Sequence, residues 1–221
     1  ITDGQNYIIL PEAKDYKRIG EGDKGLNTGG MGAVSPVDFA DKEFMKKVED
    51  SVIKRTVNGI RKEKLDYKGF IFAGLMNVNG EPYVIEYNVR MGDPETQVVI
   101  PRIKNDLLNI FIKCLDEKIN EVDLDVENNF TTTVILAADG YPESYKKGDD
   151  IRNLEEFSNS KIFHAGTKKE NNRILSNGGR VIACTGYGKS LEDALKNSYR
   201  LADNISWDNK YFRKDIGEDL K

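Results

Sequence analysis

A chain of 221 residues is long enough for one large core or two modest ones. Charged residues make up 32% and aromatics 9%, an ordinary globular balance, and the net charge of −4 argues against a nucleic-acid partner, which draws on a basic surplus. No apolar run approaches the length of a membrane span. Cys114 and Cys184 stand apart with no metal-type spacing, the pattern of reduced thiols in a cytosolic protein.

In chain order, Ile1 to Leu10 reads as a hairpin around Asp3-Gly4, ended by Pro11. Lys14 to Arg18 is dense in charge and by composition is a solvated loop. Gly20 to Gly32 is too rich in glycine for a regular helix or strand. Glycine lets backbone N–H groups converge on an anion, and a flexible linker has the same composition. The interleaved Asp23, Asn27, Thr28 and Met31, and the run into Ala33-Val34-Ser35-Pro36, favour a ligand loop.

Asp41 caps a helix reaching about Lys64, with Phe44, Val48, Val52, Ile53, Val57 and Ile60 on the core side. Tyr67 to Val78 is a strand, apolar on both faces and hence central in its sheet; its Gly74 permits close approach by a ligand. Asn79-Gly80 turns the chain into a second strand, in which Glu86, Asn88 and Arg90 are spaced by two and so share one face. Glu86 and Asn88 offer hard oxygen ligands of the kind Mg²⁺ takes, and Arg90 offers a planar fork of donors for phosphate or carboxylate. The same spacing fits the polar outer face of an edge strand, and Asp93 and Glu95 near Arg90 fit a plain ion-pair cluster.

Asp106 caps a helix to about Glu117 whose apolar faces read as core. The acidic stretch from Glu121 to Asn129 marks a boundary between domains at 1–124 and 125–221. Beyond it come a buried strand from Thr131 to Ala138, a turn at Gly140-Tyr141-Pro142 and a short strand from Lys161 to Ala165. A hairpin tip at Asn171-Asn172-Arg173, a strand from Gly178 to Gly188 and a helix from Leu191 to about Ile205, capped by Ser190, complete an α+β block. His164, the only histidine, has no Ser, Cys or acid at motif spacing and reads as structural or as a substrate-side contact. Trp207, Tyr211 and Phe212 pin the last segment to the core.

Three strings carry a resemblance. They are Glu86-Tyr-Asn-Val-Arg-Met-Gly-Asp-Pro-Glu-Thr-Gln97; Leu10-Pro-Glu-Ala-Lys-Asp-Tyr-Lys-Arg18 with Asn27-Thr-Gly-Gly-Met-Gly-Ala33; and Phe163-His-Ala-Gly-Thr167 with Asn177-Gly-Gly-Arg-Val181 and Tyr211-Phe-Arg-Lys-Asp-Ile-Gly217. In this order they resemble the phosphoribosylamine–glycine ligase (glycinamide ribonucleotide synthetase) family of the ATP-grasp superfamily, over Ile1 to about Gly217. The implied fold is α+β: the carboxy-terminal part of an ATP-grasp domain, an antiparallel sheet with helices, then a small α+β domain. The implied reaction joins glycine to 5-phosphoribosylamine through a glycyl phosphate, with ATP as co-substrate and Mg²⁺ or Mn²⁺ on Glu86 and Asn88. Arg90 then stabilises the transferred phosphoryl group, and Asp93, Gly29, Gly30, Gly32, Asp15 and Lys17 are substrate-side candidates. No acidic residue lies between Gly69 and Asn79, so Glu86 supplies the main protein charge at the metal.

The resemblance also implies that an amino-terminal substrate domain and most of the nucleotide-binding half are missing. The expectation is a piece of a cytoplasmic enzyme, inactive alone, with apolar surface exposed where the absent strands would pack. The other reading is a fragment of a different ATP-grasp carboxylate–amine ligase or a purine-pathway carboxylase, against which the Gly-Asp-Pro-Glu-Thr-Gln string counts.

Overall fold

The computed structural model describes residues 1–221. In chain order its strands and helices are β1 (Lys14–Asp15), β2 (Arg18–Gly20), β3 (Lys24–Asn27), β4 (Gly32–Ser35), α1 (Lys42–Val48), α2 (Lys54–Lys62), β5 (Phe72–Val78), β6 (Glu81–Asn88), α3 (Thr96–Val99) and α4 (Leu107–Leu115). They continue with β7 (Phe130–Ala137), β8 (Asp150–Ile151), β9 (Ser160–His164), β10 (Thr167–Glu170), β11 (Arg173–Ser176), β12 (Arg180–Gly188) and α5 (Leu191–Asn204). The chain divides into two compact units, each made of discontinuous stretches. One holds Ile1–Glu12, Val37–Gly92 and Ile103–Glu127; the other holds Ala13–Pro36, Asp93–Arg102 and Asn128–Lys221. The sequence placed a single boundary after residue 124; the chain instead passes between the units several times, because 13–36 and 93–102 fold with the carboxy-terminal residues.

In the first unit, Asp41 caps α1 as its sequence position requires, its carboxylate accepting from Phe44 N–H at 2.8 Å. α1 and α2 form one continuous helix joined by a π-helical turn over Glu49–Ile53, with Val48, Val52 and Val57 buried. β5 and β6 form an antiparallel ribbon turned by Asn79 and Gly80, both at positive φ. Lys47 Nζ donates to Gly80 O at 3.0 Å and Glu81 Oε1 at 2.8 Å, and Thr56 Oγ1 lies 2.9 Å from Tyr87 OH, so the helix is fixed to the ribbon.

Two expectations fail here. β5 is not central: it pairs with β6 alone, and Met76, Val78, Tyr83, Val84, Ile85, Tyr87 and Val89 are exposed. Its apolar composition shows what the strand is suited to, not what this chain packs against it. α4 has the expected Asp106 cap, with Asn109 N–H at 3.1 Å, yet it buries only the face of Ile110 and Cys114 and leaves Leu108, Ile112 and Leu115 exposed. The amino-terminal hairpin is reduced to a tight turn with a single Thr2–Tyr7 bridge. Asp3 organises it, accepting from the amides of Gln5 and Asn6 at 2.8 and 2.6 Å.

The second unit is built on an antiparallel sheet in the order β1-β4-β7-β12-β9. β7 is buried along nearly its whole length, as its run of Thr, Val, Ile and Leu requires. α5, capped by Ser190, covers β7 and β12 with Ala194, Leu195, Ser198, Leu201 and Ala202. The helix lies so close that a Cβ on Gly186 would meet Ala194 O and Ser198 N at 2.3 Å. Buried hydroxyls pair with one another, Thr133 with Thr185 and Thr132 with Ser198, each at 2.9 Å. On the outer edge, Ile162 N–H is taken by Glu156 Oε1 at 3.0 Å, which blocks pairing by another strand there.

The glycine-rich stretch is regular after all: β2 and β3 pair as a hairpin, and β4 enters the sheet. Long-range contacts hold it. Arg213, 1% exposed, donates to Asp215 through Nε and Nη2, to Asp23 Oδ1 through Nη1 (each 2.8 Å) and to Arg18 O at 3.1 Å. Burial works against its charge, and the Asp215 and Asp23 carboxylates more than reverse this. Trp207 is buried as expected, and Tyr211 bridges to Ala137.

Two outcomes are expected in urea unfolding. Arg213→Ala leaves its carboxylates without a counter-charge and lowers stability by about 3 kcal/mol; a loss below about 1 kcal/mol would contradict the clamp. Gly59→Ala, inside α2 with open space where the Cβ goes, raises stability by about 0.5–1 kcal/mol.

Candidate active site

In the first unit the row of Glu86, Asn88 and Arg90 is as spaced, with one irregularity. Glu86 stands opposite Gly74 and Asn88 opposite Phe72, while Ile85 is the extra residue of a bulge. A bulge next to a polar row sharpens the local twist and aims side chains that a regular strand would leave parallel. The close approach that Gly74 permits is made by Glu86 itself: a Cβ at 74 would lie 2.9 Å from Glu86 Cγ. Arg90 sits just beyond the end of β6 and folds back, its Nη1 donating to Met91 O at 3.0 Å and its Nη2 to Asn88 Oδ1 at 3.3 Å. The carboxylate of Glu86 and the amide oxygen of Asn88 are hard donors. Two such oxygens do not complete a cation's shell, which suits an ion that keeps water and phosphate oxygens as its other ligands.

In the second unit, Arg180, at the start of β12, ties down two distant segments. Its Nη1 donates to Gly29 O and Asp93 O, each at 2.7 Å, and its Nη2 to Asp93 Oδ2 at 2.8 Å. Gln97 Nε2 reaches Asp93 Oδ1 at 3.0 Å, so both carboxylate oxygens of Asp93 already have donors. The glycines serve this packing. A Cβ on Gly29 would meet the Arg180 guanidinium at 2.8 Å, one on Gly30 (φ +115°) would meet Pro94 Cδ at 2.4 Å, and one on Gly32 would meet Ile216 Cδ1 at 2.8 Å. Gly29 N–H donates to Tyr141 OH and Gly30 N–H to Thr28 Oγ1, both at 2.9 Å. The expected array of amides open to an anion is therefore absent at Gly29 and Gly30, whose N–H groups are engaged within the unit.

Asp15 and Lys17 lie on the same unit, with Lys17 Nζ 2.8 Å from Asp15 Oδ2. Lys14 is bound to Asp219, and Arg18 Nη1 donates to Gly25 O at 2.9 Å. Glu95, left in the sequence as part of an ion-pair cluster, is only 6% exposed. Burial first, and then the Asp15 carboxylate, push its carboxyl above the ordinary range. His164 is exposed, with Nδ1 3.1 Å from Thr167 Oγ1. Arg180 is the residue that motif reading missed. It stood in a quoted string, Asn177-Gly-Gly-Arg-Val181, but its partners lie 151 and 87 residues away.

Two family models match. One, described as the ATP-grasp (A) domain of phosphoribosylglycinamide synthetase, matches residues 1–96; the other, its C domain, matches residues 131–219. A bifunctional purine biosynthetic protein from Pichia angusta is 47% identical over 98% of this chain and 28% of its own length. The phosphoribosylamine–glycine ligase of Fusobacterium nucleatum is 43% identical over 98% of this chain and 52% of its own length. The crystal structure of the phosphoribosylamine–glycine ligase from Thermotoga maritima superposes with a TM-score of 0.86 at 37% identity, covering 96% of this chain and 52% of that one. The chain thus spans about half the length of the ligases it matches.

Gly30→Ala has to move Pro94 and hold alanine at positive φ, so it lowers the unfolding free energy by about 1–3 kcal/mol. An unchanged urea midpoint would contradict the packing described for this turn.

Proposed function

The chain belongs to the phosphoribosylglycinamide synthetase family, and we propose from that premise that it carries part of an ATP-dependent ligase joining glycine to 5-phosphoribosylamine. In this reaction a glycine carboxylate oxygen attacks the terminal phosphorus of ATP and releases ADP. The amine of phosphoribosylamine then attacks the glycyl carbonyl, phosphate leaves, and the amine gives up a proton. The observation that carries the reading is Glu86 and Asn88 on β6 with Arg90 just beyond its end, in a chain of this family.

The chemistry asks for such a row. Two anions, a carboxylate and a triphosphate, repel each other, and a divalent ion supplies the charge that brings them together. Glu86 and Asn88 are the residues that would hold it, and the fit is to Mg²⁺ or Mn²⁺, which take hard oxygen ligands and share phosphate oxygens. Arg90 presents its guanidinium to the oxygens of the transferred group, where charge spreads in the transition state. Its hold on Asn88 is long, at 3.3 Å, and is readily exchanged for a shorter, charge-assisted bond to phosphate. Gly32, Gly29 and Gly30 shape the turn on the substrate side, and Asp15, Lys17 and Asp93 supply its charge. The setting is cytoplasmic; no helix is long and apolar enough to cross a membrane.

The test is ADP release by the polypeptide that carries this chain, with glycine and phosphoribosylamine supplied and glycine omitted as the control. Release is expected to depend on glycine and to fall at least about 100-fold in Glu86→Gln. ADP release indifferent to glycine would overturn the substrate assignment, and an undiminished rate in Glu86→Gln would overturn the metal strand.

A further inference from the structure

We propose that Asn79 is a modification site: it closes to a succinimide and opens to aspartate or isoaspartate ahead of the other Asn-Gly pairs in the chain, and the Asn77 side chain sets its rate. The proposal is independent of the ligase reading.

The chemistry needs water and no catalyst. The Gly80 N–H gives up its proton to hydroxide, and the nitrogen attacks Asn79 Cγ. A carbon–nitrogen bond forms, the side-chain nitrogen leaves, and it departs as ammonia with a proton from water. Water then adds to one of the two imide carbonyls, the bond from that carbon to Gly80 nitrogen breaks, and the nitrogen regains its proton. Opening at Cγ gives aspartate. Opening at the α-carbonyl gives isoaspartate, with the backbone running through the former side chain.

Three Asn-Gly pairs occur, and their surroundings differ. Asn58-Gly59 lies inside α2, and Asn58 Oδ1 takes Arg61 Nη2 at 2.6 Å. Ring closure there has to break the helix at that turn. Asn177 is exposed, but its N–H is held by Gly166 O at 2.7 Å. The next residue is pressed against the same segment: a Cβ on Gly178 would meet Gly166 Cα at 2.8 Å, and one on Gly166 would meet Gly178 N at 2.8 Å. Drawing the Gly178 nitrogen toward a side chain means moving packed backbone.

Asn79-Gly80 has neither restraint. It is the two-residue tip of the β5–β6 ribbon, which pairs with no other strand. Both residues are at positive φ, +54° and +81°. The Asn79 carboxamide is exposed and makes no hydrogen bond within the chain. A Cβ on Gly80 would meet nothing nearer than Lys47 Nζ at 4.0 Å, so the attacking nitrogen is unshielded. The tip of a two-stranded ribbon also opens at low cost.

One contact opposes the reaction. Gly80 N–H donates to Asn77 Oδ1 at 2.9 Å, and this is the proton that must be lost. Asn77 thereby holds the nitrogen in its protonated form and turned toward another acceptor. The isoaspartyl product places an extra backbone carbon between Val78 and Glu81, the pair that closes the ribbon. It also sets a new carboxylate beside Lys47, which holds Gly80 O and Glu81.

The test is to age the polypeptide that carries this chain in mildly alkaline buffer and to map its peptides. Deamidation is read as an added negative charge, and isoaspartate as a site that an aspartate-directed protease no longer cuts. The expected result is conversion at Asn79 at least about tenfold faster than at Asn58 or Asn177. In Asn77→Ala the rate at Asn79 is expected to rise at least about threefold, with Asn58, in the same unit, unchanged. Conversion first at Asn58 or Asn177, or none at Asn79, overturns the site. An unchanged rate at Asn79 in Asn77→Ala overturns the role of Asn77. A rise at Asn79 and Asn58 together overturns that role as well, because it shows the whole unit opening.

Discussion

A guanidinium packed against the fold seeks acceptors for its N–H groups, and in this chain distant segments supply them. Arg180, at the start of β12, takes the Gly29 carbonyl, the Asp93 carbonyl and the Asp93 carboxylate. Residues 29 and 30 must be glycine because the guanidinium and the Pro94 ring occupy the space of their side chains. Asp93 is drawn into a structural pair, with Gln97 Nε2 on its other oxygen. Arg213 applies the same rule further along the chain, binding the β2–β3 hairpin to the carboxy-terminal residues through Asp23, Asp215 and Arg18 O.

Much of the scaffold was legible in the sequence, and for local reasons. Asp41, Asp106 and Ser190 are short polar side chains set just before apolar periodic runs, and all three cap helices. Asn79-Gly80 and Asn171-Asn172 are turn chemistry, and both turn hairpins. That Glu86 and Asn88 sit two apart on one strand was readable because a strand's period of two is a property of neighbours; Arg90 falls past the strand's end, where that period no longer applies. What stayed hidden was non-local. Nothing near Arg180 or Arg213 announces partners 151 or 190 residues away. The glycine-rich stretch misled because glycine's freedom is compatible with a hairpin when the far end of the chain holds it. The same limit applies to β5 and α4, whose apolar residues say that a surface is suited to burial but not whether this chain provides the cover.

The two units solve different packing problems. The carboxy-terminal unit places its core between β7, β12 and α5, and buries hydroxyls by pairing them with each other, Thr133 to Thr185 and Thr132 to Ser198. A helix seated against Gly186 and Gly188 leaves no room for rearrangement. The other unit is thinner: one helix over a two-stranded ribbon, and a second small cluster around Ile110, Cys114 and Ile119. Polar side chains attach its helix to the ribbon, and the row of hard oxygens rides on a strand whose apolar neighbours are exposed.

The π-helical turn between α1 and α2 bears on how such a helix tolerates change in length. Its buried valines fall at 48, 52 and 57, a step of four followed by a step of five. In an unbroken α-helix a step of five swings a side chain roughly 140° off the stripe, at about 100° per residue. The π turn over Glu49–Ile53 lies between the first and last of these valines and changes the phase of the helix there, and Val57 is buried all the same. The segment thus behaves as an accommodated one-residue insertion, with the phase error confined to a single turn. One residue fewer within the π turn would make the helix α-helical throughout, so Glu49–Ile53 is the point at which a one-residue change in length is confined to a single turn.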